Sequence, residues 1–473
     1  MGGSCRRLGA AEYQIKKGET DVKILIAGSG KLGETLARQL CAEEHDVTLV
    51  DSDRSVLESG LNRYDVMGIN GNCASMQVLC QAGVERADLL IAATGSDEVN
   101  LLSCSTAHYI NPRLHTIARI RNPEYADQAY SMRNAFALSM IVNPERQAAA
   151  EIERLLRYPG FLKRDTFAKG RMEIVELKID AESKLCNITL SSLNALMRCR
   201  VLVCAVLRDG TAIAPDGNFV LHAGDRIFVT ASTDVLSVLL KNLGIVTHRA
   251  ERVMLIGGGR ISYYLAQALE KSHLDVQMIE KDPEICARMA GLLPKTTVIQ
   301  GDAADRAVLE GEGLASCDAL VTLTGLDELN MVISLYGSGL GVPQIITKIG
   351  RVEDGKVLDS LPLGSVICPR KLCCSTIVRY VRAMQKQAGA ALTVHTIADG
   401  QVEAIEFLVD EHTLHCREPL KKLKLRENIL LVGINRGDRT EIPNGDSSFD
   451  LGDSVVVVSS GSTVLLQLND IFA

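Results

Sequence analysis

Two stretches of this chain have the residue types and spacing to hold a phosphate group. In the first, an apolar run from Lys23 enters Gly28-Ser29-Gly30-Lys31-Leu32-Gly33, and Leu36, Leu40 and Cys41 then recur at helical spacing. Gly28 permits a tight turn, Gly30 lets the backbone approach a pyrophosphate, and Gly33 lets a helix pack close to a strand. The helix start offers free N–H groups and a partial positive charge to an anion, and Lys31 adds a cation beside it. The next apolar run, His45 to Val50, ends in Asp51. An acid at that place accepts hydrogen bonds from both hydroxyls of an adenine ribose and repels a 2′-phosphate, which favours NAD(H) over NADP(H).

The second stretch repeats the first. Arg252 to Ser262 carries Gly257, Gly258, Gly259, Arg260 and Ile261, and Glu280 ends the following apolar run. A constant 229 residues separate Gly28 from Gly257, Gly30 from Gly259 and Asp51 from Glu280. Ser262 stands where the third glycine would, so this helix is expected to sit slightly farther from its strand. The segment 87–100 returns as 317–330, with Thr94 and Thr324 after a fourth strand, at the carboxyl edge where such sheets bind ligands. Asn72, after a third strand (Val66 to Asn70), and its counterpart Asp302 are expected near the adenine end. Arg119 and Arg121 flank a fifth strand, within reach of phosphates. Bland roles compete for several of these: Thr94 as a helix cap, Arg121 as a solvated surface residue. Asp97, Glu98 and Asn100 read first as helix-start residues suited to the dipole, as do Asp327, Glu328 and Asn330.

These motifs need strands and helices in alternation, and the chain supplies them twice. Short alternating runs bounded by Gly, Asp and Pro turns follow each Rossmann-type stretch: 201–217 echoes 429–445, and 223–229 echoes 451–457. Helical apolar patterns from Pro144 to Leu156 and from Leu372 to Met384 read as connections to these smaller units. The expected fold is α/β. A flexible tail (1–21) precedes a Rossmann lobe (22–145) and a small α+β lobe (160–244), then a second Rossmann lobe (250–370) and a second small lobe (386–473).

Composition narrows the function. A net charge of -7, no Trp and 4% aromatic residues argue against nucleic-acid binding and base stacking. No run approaches the roughly 18 apolar residues of a membrane span. No apolar segment follows Arg6 and Arg7, so a cleaved leader is not expected, and Arg6 sits where a myristoylation signal wants Ser or Thr. The 14 cysteines are scattered without a CxxC pair, which favours reduced thiols and no metal site. A dehydrogenase needs a substrate domain and a proton-transfer residue facing the nicotinamide. The small units are short, and their His and Cys residues do not recur: Cys204 aligns with Val432, and His222 has no counterpart near Gly452. The chain is therefore expected to sense its ligand rather than transform it.

The motifs around Gly28–Gly33 and Asp51, with Ile69-Asn70-Gly71-Asn72, Thr94-Gly95 and 117–125, taken in order, resemble the TrkA family. Those are cytoplasmic nucleotide-binding subunits of bacterial Trk potassium-uptake systems, built of RCK domains (regulators of potassium conductance). The resemblance runs from residue 22 through the duplication. It implies a homo-oligomeric ring, expected as a tetramer, on the inner face of the membrane beside a TrkH- or TrkG-type partner, with NAD(H) and ATP or ADP as ligands. Residue by residue, it assigns Gly28 to Gly33, Asp51, Gly71, Asn72, Thr94, Gly95 and Arg119 to one site. Gly257 to Ile261, Glu280, Asp302, Thr324 and Lys348 fall to the other. The second copy departs at Ser262 and at Ile349-Gly350, where the first reads Ile120-Arg121. An NAD-dependent oxidoreductase and a nucleotide sensor of a different ion transporter are the competing readings.

Overall fold

The computed structural model describes residues 22–157, 161–197, 200–243, 250–350, 361–384, 391–437, 439–460, 465 and 467–473; the expected tail, 1–21, lies outside them. The chain divides into two compact units, Met1–Ile141 and Val142–Ala473.

The first unit alternates strand and helix: β1 (Lys23–Ala27), α1 (Lys31–Ala42), β2 (Asp46–Asp51), α2 (Arg54–Leu61), β3 (Met67–Asn70), α3 (Met76–Gln81), β4 (Leu89–Ala92), α4 (Asp97–Ile110), β5 (His115–Arg119), α5 (Pro123–Ser131) and β6 (Met140–Val142). The sheet order is β3-β2-β1-β4-β5-β6. The strand order reverses between β1 and β4, the switch point at which open α/β sheets bind ligands. β1 pairs in parallel with both neighbours, Lys23 opposite Asp46 and Ile24 opposite Leu89. Helices cover both faces, so the central strands are apolar without alternation: Leu89, Leu90, Ile91 and Ala92 are all buried.

The second unit opens with α6 (Pro144–Arg157), then β7 (Lys163–Phe167), β8 (Met172–Lys178), α7 (Leu190–Met197), β9 (Leu202–Arg208), β10 (Thr211–Ile213), β11 (Arg226–Ser232) and α8 (Thr233–Leu243). A second doubly wound part follows: β12 (Arg252–Ile256), α9 (Arg260–Lys271), β13 (Asp275–Glu280), α10 (Pro283–Leu292), β14 (Thr296–Gln300), α11 (Arg306–Gly311), β15 (Ala319–Thr322), α12 (Asp327–Gly339), β16 (Gln344–Lys348) and β17 (Ser365–Ile367). The chain ends with α13 (Pro369–Met384), β18 (Ala391–Ile397), β19 (Val402–Leu408), β20 (Ile429–Arg436), β21 (Arg439–Glu441) and β22 (Ser454–Ser460). The parallel sheet β14-β13-β12-β15-β16-β17 repeats the order of the first unit.

The five-stranded sheets β10-β9-β11-β8-β7 and β18-β19-β22-β20-β21 repeat one topology. Their inner faces share one apolar cluster. It joins Phe167, Ile174, Cys204 and Phe228 of one lobe to Ile397, Val402, Val432 and Val456 of the other. The aligned pair Cys204 and Val432 thus serves as packing.

α6 does more than connect. Its apolar face, Ala148, Ile152, Leu155 and Leu156, packs into the core of the second parallel sheet with Leu265 and Leu269 of α9. The buried Gln344 amide donates to Leu155 O at 2.8 Å, and the Asn143 amide donates to the Tyr264 hydroxyl at 3.1 Å. Among the described residues no helix is long and apolar enough to cross a membrane.

Candidate nucleotide-binding sites

Each candidate crevice begins where the first strand of a parallel sheet turns into its helix. Gly28 has φ +100° and Gly257 φ +101°. A Cβ at Gly28 would lie 2.9 Å from the backbone of Thr94, so glycine is demanded by both conformation and space. The Gly28 N–H donates to Val50 O at 2.8 Å, and that of Gly257 to Ile279 O at 2.8 Å. A Cβ at Gly33 would stand 1.9 Å from Gly28 O, which is how closely α1 approaches its strand. At the equivalent place Ser262 is wholly buried and its hydroxyl donates to Gly257 O, so a Cβ is accommodated there and the oxygen gains a donor.

Gly30 and Gly259 occupy the N-cap positions of α1 and α9. Neither helix start carries a side-chain cap, and a Cβ at either glycine meets nothing within 4 Å. Uncapped N–H groups at the positive end of a helix, facing open space, make an anion site. The residues fit a pyrophosphate by a second observation: Ser29 Oγ is buried and has no hydrogen-bond partner among the described residues. Leu32 and Ile261 are buried in their cores and can offer a ligand only backbone, whereas Lys31 and Arg260 are exposed at the helix starts.

The acids stand across from these turns. Asp51 Oδ2 accepts from the Ser29 N–H at 2.6 Å and Oδ1 from the Asp53 N–H at 2.9 Å. Glu280 is one methylene longer yet does the same: Oε2 accepts from the Gly258 N–H at 2.6 Å, and Oε1 from the Lys281 and Asp282 N–H groups at 2.8 and 2.9 Å. These bonds orient each carboxylate at the end of the second strand. A carboxylate has about four lone-pair sites, so capacity for a diol remains. The Gly71 and Gly301 N–H groups donate to Asp51 O and Glu280 O at 2.9 Å, which draws the third strand's turn alongside. A Cβ at Gly71 would press on Val78 at 2.7 Å. Asn72 and Asp302 fold into matching turns, accepting from the Ala74 and Ala304 N–H groups at 3.0 and 2.9 Å.

The far wall is a brace that sequence reasoning missed. Thr94 does not cap α4; Ser96 does, accepting from the Val99 N–H at 3.2 Å. The Thr94 N–H and hydroxyl both donate to Asn100 Oδ1, at 2.9 and 2.7 Å, and the Asn100 amide donates to Arg119 O at 2.8 Å. Thr324, Asn330 and Lys348 O repeat this at 2.9, 2.7 and 3.0 Å. Asn100 and Asn330 are fully buried, so they tie the fourth and fifth strand ends together rather than stabilising a helix dipole.

Asp97 is also buried, and its Oδ2 accepts from the N–H groups of Arg121 and Asn122 at 2.9 and 2.7 Å. Asp327 holds the Gly350 N–H at 2.8 Å in the second copy. The Arg121 guanidinium donates to Gly95 O at 2.5 Å, so this side chain is tied down rather than freely solvated. The Arg119 guanidinium donates to Thr94 O, and Lys348 Nζ to Thr324 O at 2.5 Å. Both cations thus fold onto the turn carbonyl, and burial lowers the Lys348 ammonium pKa. The signal that could have found the brace is the joint recurrence of Thr and Asn six residues apart in both copies.

The TrkA-N domain family matches residues 24–144 and 253–369, and the TrkA-C domain family matches 174–244. The chain is 32% identical to the Trk system potassium uptake protein TrkA homolog of Archaeoglobus fulgidus over 436 residues, 92% of this chain and 97% of that protein. It is 30% identical to the Trk system potassium uptake protein TrkA of Haemophilus influenzae over 461 residues, covering 95% and 98%. Among solved structures, the GsuK RCK domain superposes with a TM-score of 0.60 at 16% identity, over 94% of this chain and 93% of that one. The GsuK channel bound to NAD gives 0.59 at 17%, over 94% and 77%. At such identities the structures speak to the fold alone, which is that of RCK domains. With the TrkA-N domain present twice and a relative 32% identical along almost its whole length, this chain belongs to the TrkA family.

Proposed function

We propose that this protein is the regulatory subunit of a potassium transporter, that it binds NAD(H) in crevices formed by Gly28–Gly33 with Asp51 and by Gly257–Ile261 with Glu280, and that it performs no chemistry on the ligand. The observation that carries this reading is the pairing, built twice, of an uncapped and unobstructed helix start with a carboxylate held at the end of the next strand. The relatives' names place potassium uptake in the family. ATP and ADP share with NAD(H) an adenosine carrying a pyrophosphate, the part that the turn and the acid would hold, so the same crevices take them. Asn72, Thr94, Gly95 and Arg119 line the first crevice, and Asp302, Thr324 and Lys348 the second. Each Rossmann lobe (22–145, 250–370) works with its small lobe (160–244, 386–473). The chain assembles as a homotetrameric ring on the inner face of the cell membrane and gates a TrkH- or TrkG-type partner. Residues that bind but do not react suit a sensor, which gains only from differential affinity for two shapes.

Calorimetry should find NADPH at least about tenfold weaker than NADH, since charge-assisted hydrogen bonds worth about 1.5–3 kcal/mol are replaced by repulsion. Equal affinities would remove the argument from Asp51 and Glu280. Incubated with NADH and a panel of small-molecule oxidants, the protein should give no loss of nicotinamide absorbance above background. A specific, substrate-dependent hydride transfer would put the oxidoreductase reading first.

A further inference from the structure

The two small lobes meet about a pseudo-twofold axis, and the residues on that axis have diverged into complements. Asp165-Thr-Phe-Ala-Lys-Gly170 and His395-Thr-Ile-Ala-Asp-Gly400 are equivalent: β7 and β18 are the edge strands of their sheets, Asp165 lies opposite Ile174, and His395 opposite Ala404. Ala168 and Ala398 then take φ +50° and +49°, followed by Gly170 and Gly400 at +88° and +90°. These two equivalent residues touch, His395 Nδ1 donating to Asp165 Oδ1 at 2.9 Å. Equivalent residues can touch each other only where the relating axis passes between them. Contacts flanking the axis are related in the same way. Gln401 donates to Gly210 O at 2.9 Å in one hairpin turn, and Arg171, its mate, donates to Gly437 O in the other.

Basic groups gather around the Asp165 carboxylate. Lys163 Nζ lies 3.2 Å from Asp165 Oδ2 and donates to Thr396 O across the axis at 2.6 Å. Arg154 and Arg379, each ten residues after the proline that opens its helix, both feel the field of Asp165. Burial works against ionisation of Asp165, yet the adjoining Lys163 and His395 hold its carboxyl well below the usual range. The carboxylate thus meets four basic groups, Lys163, His395, Arg154 and Arg379; Arg154 also pairs with Glu151, and the Arg164–Glu173 pair and Glu176 lie alongside.

We propose that Asp165 and His395 form a pairing code by which the first small lobe selects the second and rejects a copy of itself. If the first lobe paired with its own kind, two Asp165 carboxylates would face each other across the axis, each with its own Lys163 but without the His395 donor that binds Oδ1 here. If the second lobe did so, two His395 rings and two Arg379 guanidinium groups would meet, with Thr393 in place of Lys163 and without that carboxylate. Both like pairings lose the Asp165–His395 hydrogen bond and set identical residues against each other on the axis, whereas the unlike pairing sets an acid against a base, the arrangement by which specific interfaces exclude wrong partners. Gene duplication makes this possible, because a true homodimer must place the same residue on both sides of its axis.

The test uses the full chain and hydrogen exchange read by mass spectrometry. Asp165→His and His395→Asp each build inside one chain the contact that like-with-like pairing would make. Each should lower exchange protection at least about tenfold in peptides covering β7 and β18, leaving peptides of β1 and α1 unchanged. The reciprocal double variant, Asp165→His with His395→Asp, keeps Lys163, Arg154 and Arg379 beside the pair and should return protection to within about threefold of wild type. The milder Asp165→Asn and His395→Asn should show partial losses, and they carry the test if either reversal fails to fold. The proposal is overturned if the single variants keep wild-type protection, or if the double variant is as open as the sum of the singles.

Discussion

Replacing Gly30 with valine should empty the first crevice of nucleotide and leave the first unit folded. The residue sits at the start of α1 with φ -64° and ψ -174°, an extended backbone that any residue adopts, and an added Cβ meets no protein atom within 4 Å. The fold therefore has no reason to object. The space in front of this glycine is where a pyrophosphate would meet the uncapped helix N–H groups, and a branched side chain fills it. We expect binding at this site to weaken at least about 100-fold, roughly 2.7 kcal/mol. Titration calorimetry should count one nucleotide per chain where wild type has two, with an unchanged far-ultraviolet spectrum. Gly259→Val should do the same to the second crevice. If Gly30→Val still binds as many nucleotides per chain as wild type, the first site is misassigned.

Gly33→Ala, three residues on, should behave in the opposite way and damage the fold itself. Its Cβ would stand 1.9 Å from Gly28 O and 3.4 Å from Ile26 Cγ2. The first of these is backbone, so α1 must move off its strand and loosen Leu32, Leu36 and Leu40, all buried. Overpacking of this kind costs about 3 kcal/mol, and thermal unfolding of the first unit should begin about 10 °C lower. Ser262→Gly, at the equivalent place, loses one hydroxyl bond to Gly257 O and should shift the transition far less. Equal stability of Gly33→Ala and wild type would show that the helix start is softer than its packing implies.

The difference between these glycines shows what was legible in the sequence. A positive φ at Gly28 and Gly257 is a backbone demand, met by one residue type at one place, so a glycine motif between an apolar run and a helical pattern can be read without coordinates. Asp51 and Glu280 were legible for a similar reason, since each ends a strand whose length is set by its apolar run. The Rossmann-type sheets and the repeat followed. What stayed hidden was the partner of each polar side chain. Thr94 at the foot of a helix reads as a cap. Ser96 takes that place, and Thr94 turns to Asn100 because a buried amide needs both its donors and its acceptor satisfied. Asp97 reads as a dipole acid, yet its partners, the N–H groups of Arg121 and Asn122, lie beyond another strand. The apolar face of α6 marked it as a helix that must pack, but amphipathicity names no partner, and the partner proved to be α9 of the second copy.

On the proposed function, nucleotide in these crevices sets potassium transport by another protein. Moving a two-state assembly from 1:99 to 99:1 takes about 5.5 kcal/mol, whereas coupling between sites is typically about 1–3 kcal/mol, so several crevices must act together. Two crevices per chain in the proposed ring of identical chains would provide that. The most direct measurement is potassium flux into liposomes holding a Trk-type membrane subunit, with this protein added at the outer face and nucleotide varied. Flux should depend on the added protein and change with NAD(H) or with ATP and ADP, and the protein carrying both Gly30→Val and Gly259→Val should bind the liposomes yet lose the nucleotide response. Flux indifferent to both the protein and the nucleotide would contradict the account.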